Sequence, residues 1–294
     1  TYISLKDSSV VTTGNNSAGT AVSARAMMKV ENSTVSTTGD SSPAIMIADG
    51  GGILIADGGS FTTSGAMSQG IYSKGDVTVT NASVNALNAK AAVLKGNNTI
   101  TLSGTILEGK ETADTIPYNI VLFSDEKDIG TMGTQHFDVR GGSLISHKGG
   151  MFYVTATHGK ISLNGTAITM DDPAANLITV AGNDGANGWG TPGRNGGHVE
   201  LVADNQVLTG NISVDSISNI NMTLKNNSTF NGMISIVPNT EGGEKYKTNA
   251  DVFIAAGSTW NLTGNSTLTS LYNLGTINYN GYTITLADGT VMKA

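Results

Sequence analysis

The chain has 294 residues, no cysteine, 38 glycines and a formal net charge of −7, with 13% of its residues charged. Without Cys there are no disulfides, thiolate metal sites or Cys nucleophiles, and an acidic balance with no Lys/Arg stripe excludes recognition of a phosphate backbone, so no nucleic-acid partner is expected. No apolar run approaches the roughly 20 residues of a membrane-spanning helix and no basic-then-apolar leader opens the sequence, so this segment is not expected to insert into a membrane.

Short alternating apolar runs begin at Ile3, Met28, Ile53, Val77, Ile100, Phe137, Ile161, Val199, Ile220, Val252 and Ile277. Successive starts lie 21 to 38 residues apart, most of them 23 to 25, which is the period of a solenoid. Within a period, Ile3 to Val10 aligns with Met28 to Val35 and with Ile161 to Ile168, giving two short strands around a polar turn. A third run follows at Ala44 to Ile47, Gly70 to Ser73, Ala92 to Leu94, Ile120 to Phe123, Met151 to Val154 and Leu177 to Val180. Abundant Gly, Asn, Ser and Thr suit tight turns, and no long stretch has helical period.

Three strands per period make one triangular coil, which is stable only when the next coil pairs with its exposed strand edges about 4.8 Å along the axis. The predicted fold is therefore all-β: a single-stranded right-handed parallel β-helix of about eleven coils with three strands per coil, running through residues 1–294 as one domain. Its handedness is taken from the rule for parallel crossovers. Ile3, Leu5, Met28, Val30, Val77, Val79, Ile100, Leu102, Ile161 and Leu163 are expected to point inward as stacked ladders. The repeat is in phase from Tyr2-Ile3 to beyond Ile284, so a piece of a longer surface protein is expected.

The long periods place extra residues between the last strand of one coil and the first of the next, at Asp125–Gln135, Gly182–Gly197 and Pro238–Asn249. All three should leave the same corner, and clustered insertions are how repeat scaffolds carry binding surface. A further insertion, Glu108–Ile116, falls at another corner. In the second of the three, Trp189 stands among glycines with Asp184, Asn187, Arg194 and Asn195, an indole surrounded by amides and charge that suits a sugar ring or a protein contact. Folding back of Trp189 as a loop anchor is the alternative, because indole burial is worth a few kcal/mol.

Other candidates read as structural. His136, Lys160 and His198 each precede a first strand and are expected to form one outward column, with the Lys making it a poor metal site. Asp171-Asp172 and Asp125-Glu126-Asp128 could hold Ca²⁺ but lack the spacing of a calcium loop, so turns and solvated charge are expected, with no cofactor. Thr12-Thr13, Thr37-Thr38 and Thr62-Thr63 repeat over three periods, and a hydroxyl ladder in the wall is preferred to an ice-binding surface.

Two C-terminal stretches, Gly257 to Ser266 and Ser270 to Tyr279, together with Gln206 to Asp215 and Leu224 to Gly232, resemble the coils of autotransporter passenger domains and related bacterial surface adhesins over the last third of the chain. The resemblance implies an extracellular, cell-surface setting and a monomeric β-helical rod that displays loops to host or matrix glycans or proteins. No Gly-x-Ser-x-Gly element accompanies it. A carbohydrate-active β-helix enzyme, either a polysaccharide lyase or a glycoside hydrolase, is the alternative; Asp171, Asp172 and Asp184 are the carboxylates a paired-carboxylate glycosidase would use.

Overall fold

The computed structural model describes residues 1–114, 117–124, 134–183, 191–241 and 248–294. These form a parallel β-helix with three walls, and no helix occurs among the described residues. The first wall is built from Tyr2–Lys6, the leading halves of the long strands Ala26–Thr37 and Gly52–Thr63, then Asp76–Thr80, Thr99–Ser103, Gln135–Arg140, His158–Asn164, His198–Asp204, Asn219–Lys225, Ala250–Ile254 and Ser270–Asn273. It thus counts the expected eleven coils. The second wall runs from Ser9–Thr12 to Thr276–Asn278, and the third from Thr20–Val22 to Ile284–Leu286. Among the described residues every pairing between coils is parallel, and the one antiparallel pair joins Ile284–Leu286 to Val291–Met292 at the C-terminal end.

The turn between the first and second walls is made by a residue held in the left-handed region at nearly every coil, including Asn32 (φ 44°), Asn81 (φ 51°), Gly104 (φ 57°) and Asn205 (φ 49°). Asn and Gly are the residues that tolerate this region, which explains why they are so abundant. At the next corner Thr12 and Thr37 donate to the carbonyls of Ser17 and Ser42 at 2.7 and 2.6 Å, and Thr63 does the same to Ser68. The threonine ladder therefore points inward in the register Thr12, Thr37, Thr63, tying corners rather than presenting a surface.

The second wall divides into two sheets between Ala167–Met170 and Val207–Thr209. At the break the buried side chain of Gln206 takes the place of a peptide group: its Oε1 accepts from the Thr166 N–H at 2.8 Å and its Nε2 donates to the Thr166 carbonyl at 2.7 Å.

Alternation sends one face of each strand into a continuous apolar interior that extends from Val22 to Ile284. Along the first wall the inward row is Ile3, Met28, Leu54, Val77, Ile100, Phe137, Ile161, Leu201, Met222, Val252 and Leu271. Four of the expected starts differ from the row. Leu54 replaces Ile53, and a one-residue slip reverses the face, so Leu54 is fully buried while Ile53 is 39% exposed. Val199 and Ile220 are inward but sit two residues upstream of the row, a slip that preserves the face. Ile277 belongs to the second wall, opposite Trp260, and the eleventh coil begins instead with Ser270–Asn273. Ile3 lies in register yet is 47% exposed, since the outermost coil is covered from one side only.

Large rings fill the interior at intervals. Phe137 meets Phe152 edge-on with ring centroids 5.6 Å apart. Phe230 packs on Trp260, whose indole N–H donates to the Gly232 carbonyl at 2.9 Å. The register assignment yields a direct check. Leu54→Ala should lower unfolding free energy by about 2–5 kcal/mol, whereas Ile53→Ala should change it by about 0.5 kcal/mol or less, as read by denaturant titration.

Candidate functional site

The strand ends locate the insertions. Chain leaves the third wall after Phe123, Val180 and Val237 and rejoins the first at Gln135, His198 and Ala250, so all three insertions share one corner, on the fifth, seventh and ninth coils. The insertion after Gly109 falls at the corner between the second and third walls. Trp189, Asn187 and Asp184 lie outside the described residues, as do Asp125, Glu126 and Asp128.

The base of the second insertion is closed by backbone hydrogen bonds from Gly193 N–H to the Asn183 carbonyl at 2.7 Å and from Asn183 N–H to the Arg194 carbonyl at 2.8 Å. Arg194 is exposed; Asn195 adopts the left-handed region (φ 65°) and its carbonyl accepts from Ala156, so its backbone is part of the base. At Gly196 a Cβ would stand 1.9 Å from the Ile217 carbonyl oxygen, which restricts the position to glycine. Beneath the base the buried carboxylate of Asp215 accepts from the Gly182 N–H at 2.9 Å and from Asn239 Nδ2 at 2.8 Å. Asp215 and Asn239 thereby join the roots of the second and third insertions, a link between residues 24 apart that no local sequence pattern signals.

Beside this corner, the outer face of the first wall is concave over the fifth to ninth coils, forming an open groove of about 750 Å³. Its floor is the outward column Thr101, Asp138, Ser162, Val202 and Thr223, one residue per coil. The same column continues into Phe253 and Tyr272, whose rings stack at 5.6 Å and 23°. Charged side chains flank the floor. Lys160 pairs with Glu200 at 2.8 Å and Lys225 with Asp204 at 3.3 Å. The Asp204 carboxyl is held below its ordinary range chiefly by the Asn226 amide, with Lys225 assisting against desolvation. Arg140 and Asp138 have no ion-pair partner among the described residues.

The expected column of His136, Lys160 and His198 is not formed. His136 and Lys160 are in register with Glu200, whereas His198 pairs with His158 two positions earlier, so the two rows share a face but lie two residues apart along the strand. The His158 and His198 rings pack with centroids 4.5 Å apart, between the loop corner and the groove, with Thr134, Asn219 and Asn221 alongside. Burial, then the neighbouring His158, pushes the pKa of His198 down.

Asp172 Oδ1 accepts from the Ala174 N–H at 3.0 Å in a local turn, and Asp171 is engaged by His147. His147 bridges three coils on its own: Nδ1 lies 2.7 Å from Asp171 Oδ2 and Nε2 lies 2.6 Å from Glu108 Oε1. Among the described residues no three His, Cys, Asp or Glu side chains are grouped to hold a metal ion. On the second wall a ladder of outward amides also stands out: Asn261 Nδ2 donates to Asn231 Oδ1 and Asn278 Nδ2 to Asn261 Oδ1, each at 2.7 Å. These bonds satisfy the amides along the axis and reinforce the stack.

The His147 clamp titrates. Hydrogen bonds to Asp171 and then to Glu108 raise its pKa above 6.5, so its stabilisation is complete below the unfolded value and is lost as pH rises through the folded one. The gap in melting temperature between the native chain and His147→Gln should accordingly be widest below pH 6.5 and narrow as pH rises through the raised folded-state value, as followed by circular dichroism. No family model, curated protein or solved structure matches this chain.

Proposed function

We propose that the chain is an adhesin-type β-helical rod of a bacterial cell surface, secreted and monomeric, that displays side loops to a host or matrix glycan or protein. The observation that supports this reading is the placement of three insertions on one corner of an otherwise regular stack, at the fifth, seventh and ninth coils. Their roots are spaced about 10 Å apart along the axis at strand spacing, close enough to serve one ligand. A rigid stack positions such segments without needing them to contribute to its core.

The glycoside-hydrolase alternative requires a free acid/base pair of carboxylates. In the groove next to the corner, Glu200 and Asp204 are held by Lys160 and Lys225, leaving Asp138 as the unpaired carboxylate there among the described residues. That favours binding over hydrolysis.

Trp189→Ala, Arg194→Ala and a variant with residues 184–190 replaced by a Gly-Ser linker test the proposal by host-cell and matrix binding alongside thermal unfolding. Adhesion should fall by about tenfold or more while the melting temperature stays within a few degrees of the native value. Undiminished adhesion in all three variants would remove the loops from the binding surface.

A further inference from the structure

We propose a second binding surface, independent of the corner loops: the outer face of the first wall takes a neutral linear glycan lying along the rod axis, from the fifth coil to the eleventh. Direction comes from shape. The groove crosses five strands and so extends about 20 Å parallel to the axis, and its floor is a single column with one side chain per coil. Strand spacing of about 4.8 Å is close to the length of a pyranose ring, so successive sugars meet chemically similar positions on successive coils.

The lining selects the class of ligand. Thr101, Ser162 and Thr223 supply hydroxyls, Asp138 accepts and Arg140 donates, the last two unpaired by other charges among the described residues. The groove floor carries one aliphatic side chain, Val202, and is otherwise polar, which suits a hydroxyl-rich ligand. A polyanion meets a chain of net charge −7 whose groove lysines are already paired with carboxylates. Vicinal hydroxyls of a neutral sugar satisfy the unpaired Asp138 and Arg140 together, since a carboxylate and a guanidinium each present two parallel hydrogen-bonding positions.

The aromatic pair completes the surface. Phe253 and Tyr272 continue the floor column beyond Thr223 and stack on each other, and Tyr272 is 63% exposed. An exposed ring on an otherwise polar face offers an apolar plane for the C–H face of a sugar. Groove and platform together span seven consecutive coils of one wall.

The test uses the 294-residue chain on an array of neutral linear hexasaccharides, gluco-, manno-, xylo- and galacto-configured, with the matching disaccharides and an oligogalacturonate hexamer. At least one neutral hexasaccharide should be retained, and more tightly than its disaccharide. Arg140→Ala and Tyr272→Ala should each weaken retention roughly tenfold, which is about 1.4 kcal/mol, and Tyr272→Phe should preserve it. Replacing residues 184–190 should leave it intact, which separates this surface from the loop reading. The proposal is overturned by absence of retention on every neutral series, by binding of the uronate hexamer alone, or by Arg140→Ala and Tyr272→Ala variants that fold and bind as the native chain does.

Discussion

Backbone hydrogen bonding between successive coils is the constraint on which everything else in this molecule depends. A single coil has two unpaired edges on each of its three strands and a half-covered apolar face; only another coil in parallel register satisfies both. The register is in turn set by the inward row, because a one-residue slip would expose every apolar side chain of a strand. Leu54 and Ile53 show how sharp that selection is: adjacent aliphatic residues, one sealed in the interior and one in solvent.

Corners must then reverse the chain within a few residues without losing hydrogen bonds. The protein solves this with left-handed Asn and Gly at one corner and with threonine hydroxyls at the next. Where the second wall changes sheet, the Gln206 amide stands in for the missing peptide partner. Because backbone pairing between coils and the inward apolar row hold the stack together, insertions and outward side chains can vary without disturbing it. The insertions at one corner and the groove beside them are both built on the same coils, held by residues such as Asp215 and Asn239 that link one insertion root to another.

The outer ladders have a different energetic character from the inner ones. Surface pairs such as Lys160 with Glu200 contribute little stability individually, and the axial amide chain from Asn231 to Asn278 adds small increments per coil. Their larger effect is to fix side-chain directions along the rod. His147, wedged between Glu108 and Asp171, does the same across three coils, with a strength set by proton concentration.

The sequence by itself determined the architecture: alternation at period two, a repeat of about 25 residues, and Asn/Gly turns are local patterns that admit one stable solution, and the corner carrying the insertions follows from where the period lengthens. It located the first wall to within two residues for ten coils but misplaced the eleventh, because Ile277 shares the alternation of a first-wall strand and differs only in its pairing partner, Trp260. The candidate site was less legible. Sequence order grouped His136, Lys160 and His198 into one column, and a two-residue difference in register separated His198 from the others and joined it to His158. The groove, the Phe253–Tyr272 stack and the buried Asp215 link bring together residues from different coils. Such contacts depend on the register between coils and on wall curvature, which only the tertiary structure decides, since neither is a property of any single segment.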